Sequence, residues 1–188
     1  MMRLAILGST RGTNMDAIVE AIKQGQLAAT IEIVLSDRST AYILERARSY
    51  GLRSEFVNSD GLSRESYDLK MSDILTECHV DLIVLVGYMR ILSSAFVERW
   101  KNKIINVHPS LLPAHAGKMD MDVHKAVLQE GDKETGCSVH YVIEQVDAGP
   151  VIIQKKCPVL TLDSPQNLKD RVQKLEGIAL IEAIAKIS

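Results

Sequence analysis

Three residues in this chain have side chains suited to moving a proton and holding a negative oxygen: Asn106, His108 and Asp147. The first two open the segment Asn-Val-His-Pro-Ser-Leu-Leu-Pro at 106–113, directly after the apolar Lys103-Ile104-Ile105. That run reads as the end of a buried strand. Strand side chains alternate faces with period two, so Asn106 and His108 point the same way. Pro109 biases His108 toward extended backbone and cannot donate to a ladder, so the strand stops there. A neutral amide can donate to a developing oxyanion and an imidazole can relay protons, two parts of an acyl-transfer site. The same pair also fits ordinary turn chemistry, with Asn bonding local backbone. Asp147, before Ala148-Gly149-Pro150, is a turn residue on one reading. On the other it faces His108 and raises its pKa toward neutrality. His140 reads as a satisfied strand histidine whose strand could line the same cleft.

The elements that would position these groups alternate strand and helix. Leu4-Ala5-Ile6-Leu7 is a doubly buried strand ending at Gly8, followed by the small-residue loop Ser9 to Asn14 and a helix with Met15, Ile18, Val19 and Ile22 on one face. A strand, loop and helix in that order present free N–H groups and a dipole end to an anion such as phosphate. Gly8 and Gly12 do not make the dinucleotide pattern, and no Gly-Lys-Ser/Thr follows. A tight turn capped by Thr13 or Asn14 is the competing account. Further strands are expected at 31–35, 53–57, 81–86, 136–142 and 151–154, with helices at 41–50, 63–78 and 93–100. Another helix should end near Gln129, and a terminal one should start near Pro165. The segment Ala114 to Val123 reads as a mobile loop. This pattern specifies an α/β fold, a doubly wound, mostly parallel twisted sheet with helices on both faces. The loops 8–14, 87–92 and 106–113 then lie at carboxyl ends of strands around the switch point, where open sheets bind ligands.

With 46% hydrophobic and 24% charged residues, the 188-residue chain is expected to be a single domain, with a phosphate-binding half about 1–100 and a catalytic part about 101–188. A net charge of −2 argues against nucleic acid as a partner. Three widely spaced cysteines and no opening leader pattern suit a reduced, cytoplasmic protein, and no apolar run reaches membrane-span length. Five histidines without zinc-ligand spacing give no expectation of a metal.

Taken together the motifs resemble the phosphoribosylglycinamide formyltransferase family. The resemblance rests on Asn106 to Pro113, Asp147-Ala148-Gly149-Pro150, Gly12-Thr13-Asn14, Ser63-Arg64-Glu65 and Met89-Arg90-Ile91-Leu92, in order along nearly the whole chain. It implies a Rossmann-like formyltransferase fold and formyl transfer from 10-formyltetrahydrofolate to glycinamide ribonucleotide in purine biosynthesis. It implies Asn106, His108 and Asp147 as catalytic residues. Gly12, Thr13 and Asn14 would hold the substrate phosphate, and Gln173 and Glu176 the rest of that substrate. The folate would lie among Met89, Arg90, Ile91, Leu92, Ile143, Glu144, Gln145 and Val146, with Arg64 as a cation beside it. Family members also carry a cis bond at the position of Leu112-Pro113. The loop 118–123 departs from the pattern, being longer than in many relatives and without histidines that some place there.

The partners implied are the two small molecules, with no nucleic acid or membrane, acting on a monomer or homodimer. Two other functions compete. Hydrolysis of formyltetrahydrofolate would use the same pocket, but relatives with that activity carry an amino-terminal regulatory domain that is not expected ahead of Met1-Met2-Arg3-Leu4. A non-catalytic nucleotide-binding module would use the first loop with Asp37 on ribose hydroxyls.

Overall fold

The computed structural model describes residues 1–188. Seven strands form one sheet: β1 (Met2–Leu7), β2 (Ala29–Ser36), β3 (Ser54–Phe56), β4 (Leu82–Leu85), β5 (Ile104–His108), β6 (Glu134–Tyr141) and β7 (Val151–Pro158). Their spatial order is β3-β2-β1-β4-β5-β6-β7. β1 to β5 pair in parallel, and β6 and β7 join antiparallel. Six helices complete the chain: α1 (Thr13–Lys23), α2 (Tyr42–Ser49), α3 (Arg64–Glu77), α4 (Ser94–Arg99), α5 (Met121–Glu130) and α6 (Pro165–Ile187). No helix is long and apolar enough to cross a membrane.

The central strands are apolar throughout because both faces are covered. β1 sends Leu4 and Ile6 into a core shared with α1, α2 and α6, and Ala5 and Leu7 into a second core against α3 and α4. Each large side chain removed from water there contributes about 1.5–3 kcal/mol. On α3 the buried residues include Tyr67, Met71 and Leu75, the stripe expected from spacing. Helix starts follow local chemistry. The Ser63, Ser93 and Ser164 hydroxyls accept from Ser66, Phe96 and Asn167 N–H, and Pro165 sits in the first turn of α6 where no donor is needed.

The expected order holds, with β1 beside β4 and the direction of winding reversing between them. β7 starts at Val151, as expected, and runs on to Pro158. Its last stretch, Lys155-Lys156-Cys157-Pro158, lies at the sheet edge, where charged residues and a proline are compatible with strand geometry.

Candidate active site

The loop after β1 turns into α1 at Gly12, whose φ of 71° lies in the left-handed region. A Cβ there would stand 2.4 Å from Ile43 Cγ1, so both conformation and space call for glycine. Gly12, not Thr13 or Asn14, is the N-cap residue, and no side chain caps the helix. The N–H groups of Thr13 and Asn14 make no bond outside the helix and point past its start, as an anion requires. Asn14 instead spends its side chain on α6, donating from Nδ2 to Glu176 Oε2 at 2.6 Å. Burial pushes the half-buried Glu176 carboxyl up from the usual range. Beside this contact a cleft of about 540 Å³ is lined by Thr13, Asn14, Ala17, Asp170, Gln173 and Lys174 among others. Thus Gln173 faces the cleft, while Glu176 meets it through Asn14.

The loops after β1 and β4 are joined by two bonds, Ser9 N–H to Gly87 O and Met89 N–H to Ser9 Oγ. A second hollow of about 430 Å³ is lined by Arg64, Arg90 and Ile91. The Arg90 guanidinium lies over the Tyr67 ring, 4.4 Å from its centroid. Its Nε is buried without a hydrogen-bond partner. Arg64, in the first turn of α3, is exposed. Ile91, Ile143 and Val146 are large apolar side chains left 60%, 40% and 50% exposed, the kind of surface a flat apolar ligand would cover.

At the end of β5 His108 and Asp147 meet, and Asn106 joins them through His140. Asp147 Oδ2 lies 3.3 Å from His108 Nδ1, and its Oδ1 lies 3.6 Å from His140 Nε2. Asp147 itself has φ 55°, which Asp tolerates better than most residues. Gly149, two residues on, passes Tyr141 O so closely that a Cβ would stand 1.8 Å from it. Only glycine lets the chain turn there and return Asp147 to the strand ends.

The parallel-to-antiparallel switch places His140 directly opposite Asn106. Its Nδ1 lies 3.0 Å from Tyr141 O and its Nε2 3.3 Å from Asn106 Nδ2. With Nδ1–H donated to that carbonyl, Nε2 accepts from the amide and fixes the direction in which Asn106 presents its second N–H. His140 is thus a strand histidine with both ring nitrogens satisfied, as expected, and its strand does line the cluster. Alternation along β6 could not reveal the contact with Asn106, because Thr135 to His140 are all buried and neither face stands out.

His108 differs from expectation in its titration. Burial pulls its pKa below the ordinary histidine value, outweighing the opposing effects of Asp147 and of the His115 carbonyl against Nε2 at 3.2 Å. Burial likewise lowers His140. His124 on α5 is also buried, its Nδ1 unpartnered and its pKa pushed down to about 4. It was not singled out from the sequence, where a lone histidine in an amphipathic helix carries no distinguishing signal.

The turn after β5 is fixed by Ser138, whose hydroxyl donates to Ser110 O and accepts from Leu112 N–H and Gln154 Nε2. Leu112-Pro113 is cis. Beyond it, His115 presents its ring to two acids, with Nε2 2.7 Å from Asp132 Oδ2 and Nδ1 3.8 Å from Glu130 Oε1. The two carboxylates lie off different ring nitrogens, so the ring is held from both ends.

The formyl transferase family model matches residues 2–184. The phosphoribosylglycinamide formyltransferase of Escherichia coli K12 is 39% identical over 93% of this chain and 82% of that protein. The trifunctional purine biosynthetic protein adenosine-3 of Drosophila melanogaster is 38% identical over 98% of this chain, which spans 14% of that longer protein. The crystal structure of glycinamide ribonucleotide transformylase 1 from Symbiobacterium toebii superposes with a TM-score of 0.94 at 37% identity, covering 98% of this chain and 86% of that one. An amide, an imidazole and a carboxylate gathered at the strand ends, beside a helix start built for an anion, are thus set in a fold shared along nearly the full length, and the chain belongs to the formyl transferase family.

Proposed function

We propose that this chain transfers a formyl group from 10-formyltetrahydrofolate to the amine of glycinamide ribonucleotide in purine biosynthesis. The observation that carries the reading is the meeting of Asn106, His108 and Asp147, with His140 aligning the amide. When bound, the folate supplies the formyl carbon that the amine attacks.

Asn106 donates from Nδ2 to the formyl oxygen as it gains negative charge. His108 lies beside the same oxygen, takes the proton that the attacking amine loses, and returns it to the folate nitrogen as the bond from that nitrogen to the formyl carbon breaks, releasing tetrahydrofolate. Asp147 favours the charged form of His108 and opposes the effect of burial, so the imidazole is held ready to change state. Gly12, Thr13 and Asn14 hold the substrate phosphate by backbone N–H groups, and Gln173 reaches the same molecule from α6. Glu176 keeps Asn14 in place and leaves one carboxylate oxygen for a ribose hydroxyl.

The folate ring system fits the apolar surfaces of Ile91, Ile143 and Val146, with backbone of Met89, Leu92, Glu144 and Gln145 at its edge. Arg64 and Arg90 fit its carboxylates. No step in this scheme calls for a metal, and both partners are small molecules in the cytoplasm. The test is formyl loss from the folate, measured with and without glycinamide ribonucleotide. Loss that depends on the amine is expected; equal loss without it would replace transfer by hydrolysis.

A further inference from the structure

Neither hollow is lined by His108 or Asp147, whose side chains are only 5% and 9% exposed. Part of what covers them is the backbone of residues 115–117. His115 O faces His108 Nε2 at 3.2 Å, and Gly117 N–H donates to Asp147 Oδ2 at 2.9 Å. That same Oδ2 is the oxygen facing His108 Nδ1. One short segment thus touches both members of the proton-moving pair.

What keeps the segment there lies on α5. Helix α5 closes at Gly131, φ 71°, with Gly131 N–H bonded to Leu128 O and Asp132 N–H to Val127 O. This is the closing pattern that locks the residue after a helix end. Asp132 is therefore a fixed anchor, and its carboxylate takes the His115 ring at 2.7 Å. The ring is 5% exposed, and its backbone has φ 58°. On the other side Ser110 Oγ donates to Ala114 O at 2.5 Å.

We propose that His115 and Asp132 are a positioning pair for the formyl transfer, tethering the 115–117 backbone so that its carbonyl and N–H orient His108 and Asp147. Neither side chain reaches the reacting atoms; both act through the backbone between them. The inference rests on the proposed function for its chemistry, but the tether itself has a separate readout.

The test uses the full chain with Asp132→Ala, Asp132→Asn, His115→Ala and His115→Gly. Formyl transfer is followed as kcat and KM, together with an NMR titration of the His108 ring. Asp132→Ala and both His115 variants are expected to lower kcat about tenfold, near the net worth of one hydrogen bond, while KM moves by less than about twofold. His108 should titrate lower, since the carbonyl that favours its charged form has withdrawn. Asp132→Asn should recover most of the rate, because its amide oxygen still accepts from Nε2–H. His115→Gly suits a left-handed backbone without the ring, so its failing alongside His115→Ala assigns the effect to the tether rather than to strain.

A folded Asp132→Ala protein with wild-type kcat and an unchanged His108 titration would overturn the proposal. So would an Asp132→Asn protein as impaired as Asp132→Ala. If the wild-type protein transferred no formyl group, the functional reading would fail, and the His108 titration would still decide on the tether.

Discussion

The molecule carries two polar centres at the same edge of one sheet, and they are built on opposite principles. At the start of α1 main-chain N–H groups stand free, held by a left-handed glycine and by one amide bonded to the last helix. At the end of β5 the work falls to side chains that titrate, packed where water cannot compensate a wrong protonation state. The first centre lies in the parallel part of the sheet, where strand–loop–helix turns expose backbone donors. The second needs the antiparallel partner β6 to bring His140 across from Asn106, and the β6–β7 turn to bring Asp147. Recognition by backbone tolerates changes of pH and of side chain. Chemistry by side chain tolerates neither.

That contrast can be broken at four places. The largest effect is expected for Asn106→Ala, with kcat lower by roughly 10²–10³, the cost of one donor to a developing oxyanion, and little change in substrate-phosphate affinity. Steady-state kinetics on folded protein decides it, and turnover near wild type would remove Asn106 from the chemistry.

Asp147→Asn comes next, with kcat reduced about a hundredfold, within the span of acid–base contributions. Its carboxylate charge favours protonated His108, so the His108 pKa should fall further from its already lowered position. NMR titration checks the direction, and an unmoved His108 would detach Asp147 from this role.

The third concerns pH and stability. His108, His124 and His140 all have pKa values lowered by burial in the folded chain, so the unfolded chain binds more protons below the ordinary histidine value. Stability from these groups is therefore full above that value and is lost as pH falls. For His124 the drop from 6.5 to about 4 amounts to about 3 kcal/mol across that window. Glu176, raised by burial, has the opposite sign, since its ionisation costs stability as pH rises. Denaturant titrations at several pH values should show a steeper acid loss in the natural chain than in His124→Leu; parallel curves would count against this.

The smallest effect belongs to the backbone centre. Gly12→Ala forces a left-handed Cβ against Ile43, a cost of roughly 2–3 kcal/mol in stability. KM for glycinamide ribonucleotide should rise while the pH profile of kcat stays put. A shifted profile would mean the two centres are not separable.

The sequence made the backbone centre easier to foresee than the titrating one. Doubly buried strands announce themselves as apolar runs, and the order β1 beside β4 follows from alternating strands and helices. Serine caps and Pro165 marked helix starts for reasons local to a few residues. Asn106, His108 and Asp147 stood out because an amide, an imidazole and a carboxylate together suit acyl transfer and because the motifs around them resemble a known family. The partner that satisfies His140 could not be read from the sequence, because it lies 34 residues away and is fixed by register. His115 and Asp132 meet only because the end of α5 returns to the turn after β5, which no spacing along the chain expresses. The downward shift of His108 depends on how much protein surrounds it, a quantity that Asp147 alone could not supply.

The bond from Asn14 to Glu176 joins positions 162 residues apart. During synthesis the loop and helix that meet the phosphate emerge among the first residues, yet they stay without this brace until α6 has left the ribosome. A nascent chain halted within α5 would already possess its glycine turn and free amides, but Asn14 would be at liberty to swing away. The brace on Asn14 is thus completed only late in translation.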